Sequence, residues 1–285
     1  MKFALMGHVS NNHACWGREQ AILQICQRAK KLGFDGIDWL DDCGVNPKEI
    51  RRITDDFGLP SVCFTPLSVD LNFSSAKERQ AGLDAVKKAA ETAVILGTDK
   101  IMLPMGGKPQ FTTQESRRNV IAGLVEAVQI AAYFRITVTV EHYGDERAPF
   151  RISDDVNEAV RAVPGLRVTY DSGNVWLGGE NAADGFVRSR ENIVHAHFKD
   201  LELVFGDEDA NAKRYMMTQS ASGKKYVMAP IGRGLVDHEE VLRVMQASRY
   251  SGYVDLEYFG TKYETDAVLS ESLKFISLNI RPKCD

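Results

Sequence analysis

The chain has 285 residues, of which 44% are hydrophobic and 26% charged, enough apolar content to bury a large core. A net charge of −4 and a pI near 5.9 argue against nucleic acid or an anionic membrane as partner, since both favour a basic face, and point to a small ligand. No apolar run approaches the roughly 18 residues that span a bilayer, Phe3 to Met6 is too short for a signal-peptide core, and Cys15, Cys26, Cys43, Cys63 and Cys284 lack CxxC or zinc-ribbon spacing, so a cytoplasmic protein with reduced thiols is expected.

In chain order, KFALMGH (2–8) reads as a strand, followed by a helical stretch over 18–32 that ends at Gly33, a natural C-cap. GIDWL (36–40) is a second strand, and Pro47 opens a helix that stops at Gly58. SVCFTP (61–66), KIMLPM (100–105), TVTVEHYG (137–144), LRVTYDSGN (166–174), NIVHAHFKD (192–200) and YVDLEYFG (253–260) supply six more strands. Helical patterns fall near 76–96, 113–134, 153–162, 182–190, 236–248 and 264–279. This rhythm predicts an α/β fold, a single (β/α)₈ TIM barrel over residues 1–285, with no sequence repeat and no linker between domains. A doubly wound open sheet is the alternative, but neither GxGxxG nor a Walker loop is present. The rhythm breaks between Leu201 and Gly234, too long for an ordinary βα loop. RYMMT and KKYVMA flank SASG there, which predicts a β-hairpin over the barrel mouth, serving as a lid, a substrate wall or an oligomer contact.

Four successive strands end in groups that can bind a metal: Glu141 on the fifth, Asp171 on the sixth, His197 on the seventh and Glu257 on the eighth. Alternation puts Thr139 with Glu141, Thr169 with Asp171, His195 with His197 and Asp255 with Glu257 on shared faces, and the barrel interior is the natural assignment. Parallel strands bring those ends to one mouth, where active sites of this architecture sit. Three carboxylates crowded there would repel one another and take up protons unless a cation joined them. Three carboxylates and one imidazole suit Mn²⁺, Mg²⁺ or Co²⁺; Zn²⁺ more often takes nitrogen or sulfur. His195, one layer below, reads as a hydrogen-bonded core residue.

With GFDGIDWL, EHYG, DSGN, HAHFKD, PIGRGLVD and SGYVDLEYFG, which together span nearly the whole chain, the sequence resembles the sugar phosphate isomerase/epimerase family of xylose isomerase-like barrels. That family includes tagatose and psicose 3-epimerases, inosose dehydratase and bacterial 3-dehydroshikimate dehydratases. The resemblance implies one divalent metal, Mn²⁺ foremost, on Glu141, Asp171, His197 and Glu257. It further implies that Glu141 and Glu257 move the proton α to a carbonyl of a small carbohydrate or cyclic polyol. Return of the proton gives isomerisation or epimerisation; loss of a β-hydroxyl gives a lyase or dehydratase acting on a keto-polyol, a dehydroshikimate-like compound or a 3-keto-glycoside.

The chain departs from the epimerase pattern, which has a His three residues after the sixth-strand Asp and an Arg soon after the seventh-strand His. Here Asn174 and Lys199-Asp200 stand in those places, and Asn can hydrogen-bond a hydroxyl but cannot titrate. His142 is a candidate general acid if the strand end is irregular, because regular alternation turns it outward. Lys199 and Asp200 are expected to orient ligands or bind substrate. His8, Trp39, Lys108, Trp176 and Arg233 are further candidates for substrate contact, with Phe64 and Tyr258 as apolar walls. A zinc-dependent DNA-repair endonuclease is a remote alternative, lacking here the extra histidines and the basic groove. A subunit role through the 201–234 insertion, in a homo-oligomer or beside a partner chain, is a second.

Overall fold

The computed structural model describes residues 1–8, 18–41, 44–205, 217–219 and 223–280. Its strands are β1 (Lys2–Gly7), β2 (Gly36–Leu40), β3 (Ser61–Thr65), β4 (Lys100–Leu103), β5 (Thr137–Glu141), β6 (Arg167–Asp171), β7 (Ile193–Phe198), β8 (Asp200–Leu203), β9 (Met217–Gln219), β10 (Lys225–Ala229) and β11 (Tyr253–Leu256). The helices are α1 (Arg18–Leu32), α2 (Pro47–Phe57), α3 (Ala76–Leu96), α4 (Thr113–Tyr133), α5 (Ser153–Ala162), α6 (Ser172–Leu177), α7 (Ala182–Ser189), α8 (His238–Ala247) and α9 (Thr265–Asn279). Strands β1 to β7 and β11 close into a parallel barrel in the order β1-β11-β7-β6-β5-β4-β3-β2, with the helices outside: a (β/α)₈ TIM barrel.

Local chemistry sets the element ends. The Asn46 side chain accepts a hydrogen bond from Lys48 N, Pro47 takes the first helical position of α2, and Gly58 closes it at φ +62°. Thr112 and Glu115 form a capping box at the start of α4. Alternation then divides each strand between barrel interior and helix layer. On β2, Asp38 faces the interior, while Trp39 is fully buried and donates from Nε1 to Ser61 Oγ at 3.1 Å. A Cβ at Gly7 would lie 2.8 Å from the Trp39 ring, so the indole requires glycine there.

Several boundaries differ from the sequence expectation. Strand β6 ends at Asp171, and α6 follows at once, because the Asp171 carboxylate accepts from Asn174 N at 2.7 Å and caps the helix. Strand β11 ends at Leu256, so Glu257 stands on the loop just beyond it. The long segment after β7 contains β8, which leaves the barrel and pairs antiparallel with β10, which in turn pairs with β9. The remainder of that segment, 206–216 and 220–222, lies outside the described residues, as do Cys15, Cys43 and Cys284. Cys26 and Cys63 are free and buried, and burial pushes the Cys26 thiol up to about 12. Among the described residues no helix is long and apolar enough to cross a membrane.

Candidate functional site

The barrel interior departs from an apolar core. Asp38, Thr139, Thr169, His195, His197 and Asp255 are all 1% exposed or less, and register aligns His197 with Asp171 on one side and Asp255 on the other. Thr139 and Thr169 hydroxyls join at 2.7 Å. Asp38 Oδ2 meets His195 Nε2 at 2.5 Å and His197 Nε2 at 3.1 Å. Burial alone would raise the Asp38 carboxyl, but the two imidazoles outweigh it and hold the group below the usual carboxylate range. An ionised carboxylate only accepts, so both imidazoles donate through Nε2.

Burial alone would lower His197, but Asp38 and Glu141 outweigh it and raise it well above the ordinary range, so Nδ1, at the barrel mouth, carries a proton that a cation bound there would displace. The atom is buried and has no hydrogen-bond partner; Glu141 Oε2 lies 3.5 Å away and Glu257 Oε2 3.7 Å. Glu141, Asp171 and His197 each offer a ligand atom within 4.8 Å of the other two. A buried imidazole nitrogen facing carboxylates, oriented from behind by another carboxylate, has the form of a metal ligand with its supporting shell. The residues fit a hard divalent cation. The other His-rich group, Asp38 with His195 and His197, directs its atoms at one another.

Lys199 neutralises the carboxylates from the side. Its Nζ lies 2.8 Å from Glu257 Oε1, 3.3 Å from Asp171 Oδ2 and 3.3 Å from Asn174 Oδ1. Burial alone would lower the lysine, but Asp171, Glu257 and Glu141 overcome it and raise it above the ordinary range, so the ammonium stays charged. Burial together with the Glu257 charge raises Asp171, against the pull of Lys199 and His197. Burial above all, reinforced by Asp38, raises Asp255 strongly, and both its oxygens are without hydrogen-bond partners.

Glu141, Asn174, His197, Lys199 and Glu257 line one cavity of about 550 Å³ at the C-terminal ends of the strands. A cavity of about 780 Å³ between α7 and α8, at the opposite end, carries none of the predicted groups.

Other predicted residues are not brought to this cavity. His142 points into the layer outside the barrel: strand β5 stays regular to Glu141, and the fully buried ring stands edge-on to Tyr170 at 5.9 Å. Burial lowers its pKa to about 3, and neither ring nitrogen has a partner. A general-acid role does not fit a neutral imidazole sealed from the pocket. Trp39 and Phe64 are core residues, and Tyr258 packs with its hydroxyl on Tyr263 O at 3.2 Å. Trp176 braces the small sheet, edge-on to Tyr226 at 5.4 Å. Lys108 is held by Asp70 Oδ2 at 2.6 Å and Asn72 O at 2.5 Å. Arg233 lies over Tyr263 and reaches Glu271 at 3.4 Å. His8 is half-buried and stands edge-on to Phe259, which lines the cavity, at 4.4 Å.

Asp200 has a structural task instead of orienting a ligand. Its carboxylate accepts from the backbone N–H of Leu201, Gly232, Gly234 and Val236, fixing the turn that follows β10. Sequence reasoning missed Asp38, Thr65, Tyr143, Met228 and Phe259. Asp38 alone carried a signal, as the one charged residue on the inward phase of GIDWL.

The placement of His142 has a measurable consequence. Unfolded, its imidazole takes a proton near 6.5; folded, it resists until about 3, so stability falls as pH drops below 6.5. His142→Leu, similar in volume, is expected to melt within about 1.5 kcal/mol of wild type at pH 7. At pH 5 it should be favoured by a further ~2 kcal/mol, because wild type loses about 1.4 kcal/mol per unit across that window. Urea melts at both pH values measure this, and a pH-independent difference would refute the neutral, sealed imidazole.

Comparison with known proteins follows the same lines. A family model described as xylose isomerase-like TIM barrel matches residues 26–278. An inosose dehydratase from Lacticaseibacillus casei is 24% identical over 150 residues, 53% of this chain and 49% of that protein. The chain thus spans about half the length of the curated relatives it matches. The crystal structure of a 3-keto-D-glucoside 4-epimerase from E. coli superposes with a TM-score of 0.75 at 18% identity, covering 98% of this chain and 99% of that one. A probable 3-DHS dehydratase from Bacillus anthracis gives 0.72 at 19% identity, with 97% and 99% covered.

Proposed function

The chain belongs to the xylose isomerase-like TIM barrel family, and on that premise we propose that it is a divalent-metal-dependent enzyme that removes a proton α to a carbonyl of a sugar or cyclic polyol, as an isomerase or epimerase. The observation that supports this most is the unpartnered His197 Nδ1 facing Glu141 and Glu257 beside Asp171. Those four residues would hold the ion, with Mn²⁺ the leading candidate. Bound there, a divalent cation would polarise substrate oxygens and offset the negative charge that develops as the proton leaves.

The protein groups divide the remaining work. Glu141 and Glu257 both line the cavity and remain 7% and 10% exposed, so each carboxylate can reach a substrate carbon and carry its proton. Lys199 supplies a fixed positive charge beside Glu257 and Asp171, and Asn174 offers an amide to a hydroxyl. A lyase is the second reading. It is favoured by the non-titrating Asn174 and by Lys199, whose ammonium can hydrogen-bond a departing hydroxyl; an inosose dehydratase and a probable 3-DHS dehydratase among the similar proteins lend weight.

The test is proton NMR in D₂O. Protein stripped of metal and reloaded with Mg²⁺ is incubated with ketoses, keto-inositols and dehydroshikimate, beside a chelated control. Metal-dependent deuterium at an α-carbon with the skeleton intact means isomerase or epimerase chemistry. An alkene signal with loss of water means the lyase. Neither, with ion binding verified, would refute the proposal.

A further inference from the structure

Lys199 is the single residue between β7 and β8, at the joint where the chain leaves the barrel for the small sheet. Its N–H goes to a side chain and not to a neighbouring strand: Lys199 N donates to Ser172 Oγ at 3.2 Å. A Cβ on Gly173 would lie 2.7 Å from Lys199 O, so the two segments approach as closely as glycine permits. Ser172, the first residue of α6, also meets the first residue of α8, with its Oγ 3.0 Å from His238 Nε2. On the other side of that ring, Nδ1 lies 3.2 Å from Val236 O and 3.4 Å from Asp200 Oδ2. A carbonyl only accepts, so Nδ1 carries a proton. The Asp200 carboxylate is pinned in turn by the N–H groups of Leu201, Gly232, Gly234 and Val236.

Ser172, His238 and Asp200, bonded in that order, have the connectivity of an acyl-transfer triad. All three are 1% exposed or less and line neither cavity, so no substrate carbonyl reaches Ser172 Oγ, which already accepts the Lys199 N–H. The work left to them is to hold the chain. Packing does not call for an imidazole at 238: the ring stands 5.0 Å from that of Phe198, where an apolar side chain of that volume would serve as well. Its nitrogens set it apart, and burying them is costly unless both are bonded. Resting on the reading of the barrel-mouth cavity as the reaction site, we propose that His238 is a positioning residue: through Ser172, braced by Asp200, it fixes the Lys199 main chain and so keeps the Lys199 ammonium on Glu257, Asp171 and Asn174. A lysine stem is flexible, so the place of Nζ follows the place of its Cα, and a shift of about 1 Å at a reacting group can cost about 100-fold in rate.

Hydrogen exchange of the Lys199 amide, followed by NMR in ¹⁵N-labelled full-length protein, reads the main chain independently of any reaction. His238→Leu removes both contacts of the ring. His238→Asn keeps a donor at the place of Nδ1, which favours folding, and loses only the contact to Ser172. Each is expected to speed Lys199 exchange about tenfold or more relative to the amides of β3, across the ring of strands, the scale of one buried hydrogen bond. His238→Gln, whose amide can reach Ser172, should stay within about threefold of wild type. Lys199 and β3 amides speeding up together would mean a merely structural histidine, and an unchanged Lys199 amide would mean that Ser172 holds it alone; either overturns the proposal. Turnover in the deuterium assay tests the second step. His238→Asn should lower kcat about tenfold in wild type and add nothing in a Lys199→Met background, whereas additive losses break the link from His238 to the ammonium. Absence of turnover with every substrate sinks the reaction reading instead, and the amide result still decides whether His238 holds Lys199.

Discussion

His197→Ala is expected to lower Mn²⁺ affinity by a hundredfold or more and to abolish turnover at ordinary metal concentrations. Losing a partner from the supporting shell of a metal ligand typically costs about 10–100-fold, so losing the ligand should cost more. His197 also donates to Asp38, and its removal leaves half of that buried carboxylate's support unmade, so a stability loss of about 3 kcal/mol should accompany the change. His195→Ala separates the two effects. It breaks the 2.5 Å contact to the same carboxylate and should destabilise comparably, yet His197 Nδ1 still faces Glu141 and Glu257. Calorimetric Mn²⁺ titrations beside urea melts give both quantities. Equal metal affinity in wild type and His197→Ala would remove His197 from the ligand set.

The contrast between those two histidines marks how far the sequence could be read. Apolar runs alternating with amphipathic ones were enough for the barrel, and period-two alternation placed His195 and His197 on one face, since both depend only on local chain geometry. The same rule, applied to GIDWL, would have turned Asp38 inward and Trp39 outward; following aromatic chemistry instead led to Trp39 as a pocket wall. What alternation cannot give is the partner across the barrel. Asp38 and His195 are 157 residues apart, and only the closed ring of strands brings them to 2.5 Å. Loops are less legible still. Phe259 and Tyr143 line the cavity from segments just past β11 and β5, while Lys108 and Arg233, chosen for their charge, found partners elsewhere. His142 failed as a candidate because adjacency in sequence to Glu141 means opposition across a regular strand.

Asp38→Asn is the sharper test, because it preserves volume and removes only charge and acceptor capacity. The native carboxylate accepts from both imidazoles through one oxygen, Oδ2. An asparagine presents an oxygen on one side and an NH₂ donor on the other, so it cannot accept both protons as the carboxylate does unless the amide oxygen takes both and the NH₂ is left buried without a partner. The alternative is for His197 to accept at Nε2, which leaves its one proton on Nδ1, where a bound cation would need a lone pair facing Glu141 and Glu257. Either outcome penalises the metal-binding tautomer. Mn²⁺ affinity should therefore fall about 10–100-fold, the range seen when supporting partners of metal ligands are lost. Turnover should recover in part at saturating metal, since every group lining the cavity is retained. ¹⁵N NMR of the histidine side chains, in metal-free protein, reports this directly as a His197 ring protonated at both nitrogens in wild type and at Nδ1 alone in the variant. Unchanged His197 protonation and unchanged affinity would mean that the barrel walls alone orient His197, and that Asp38 is retained for the stability of the polar interior.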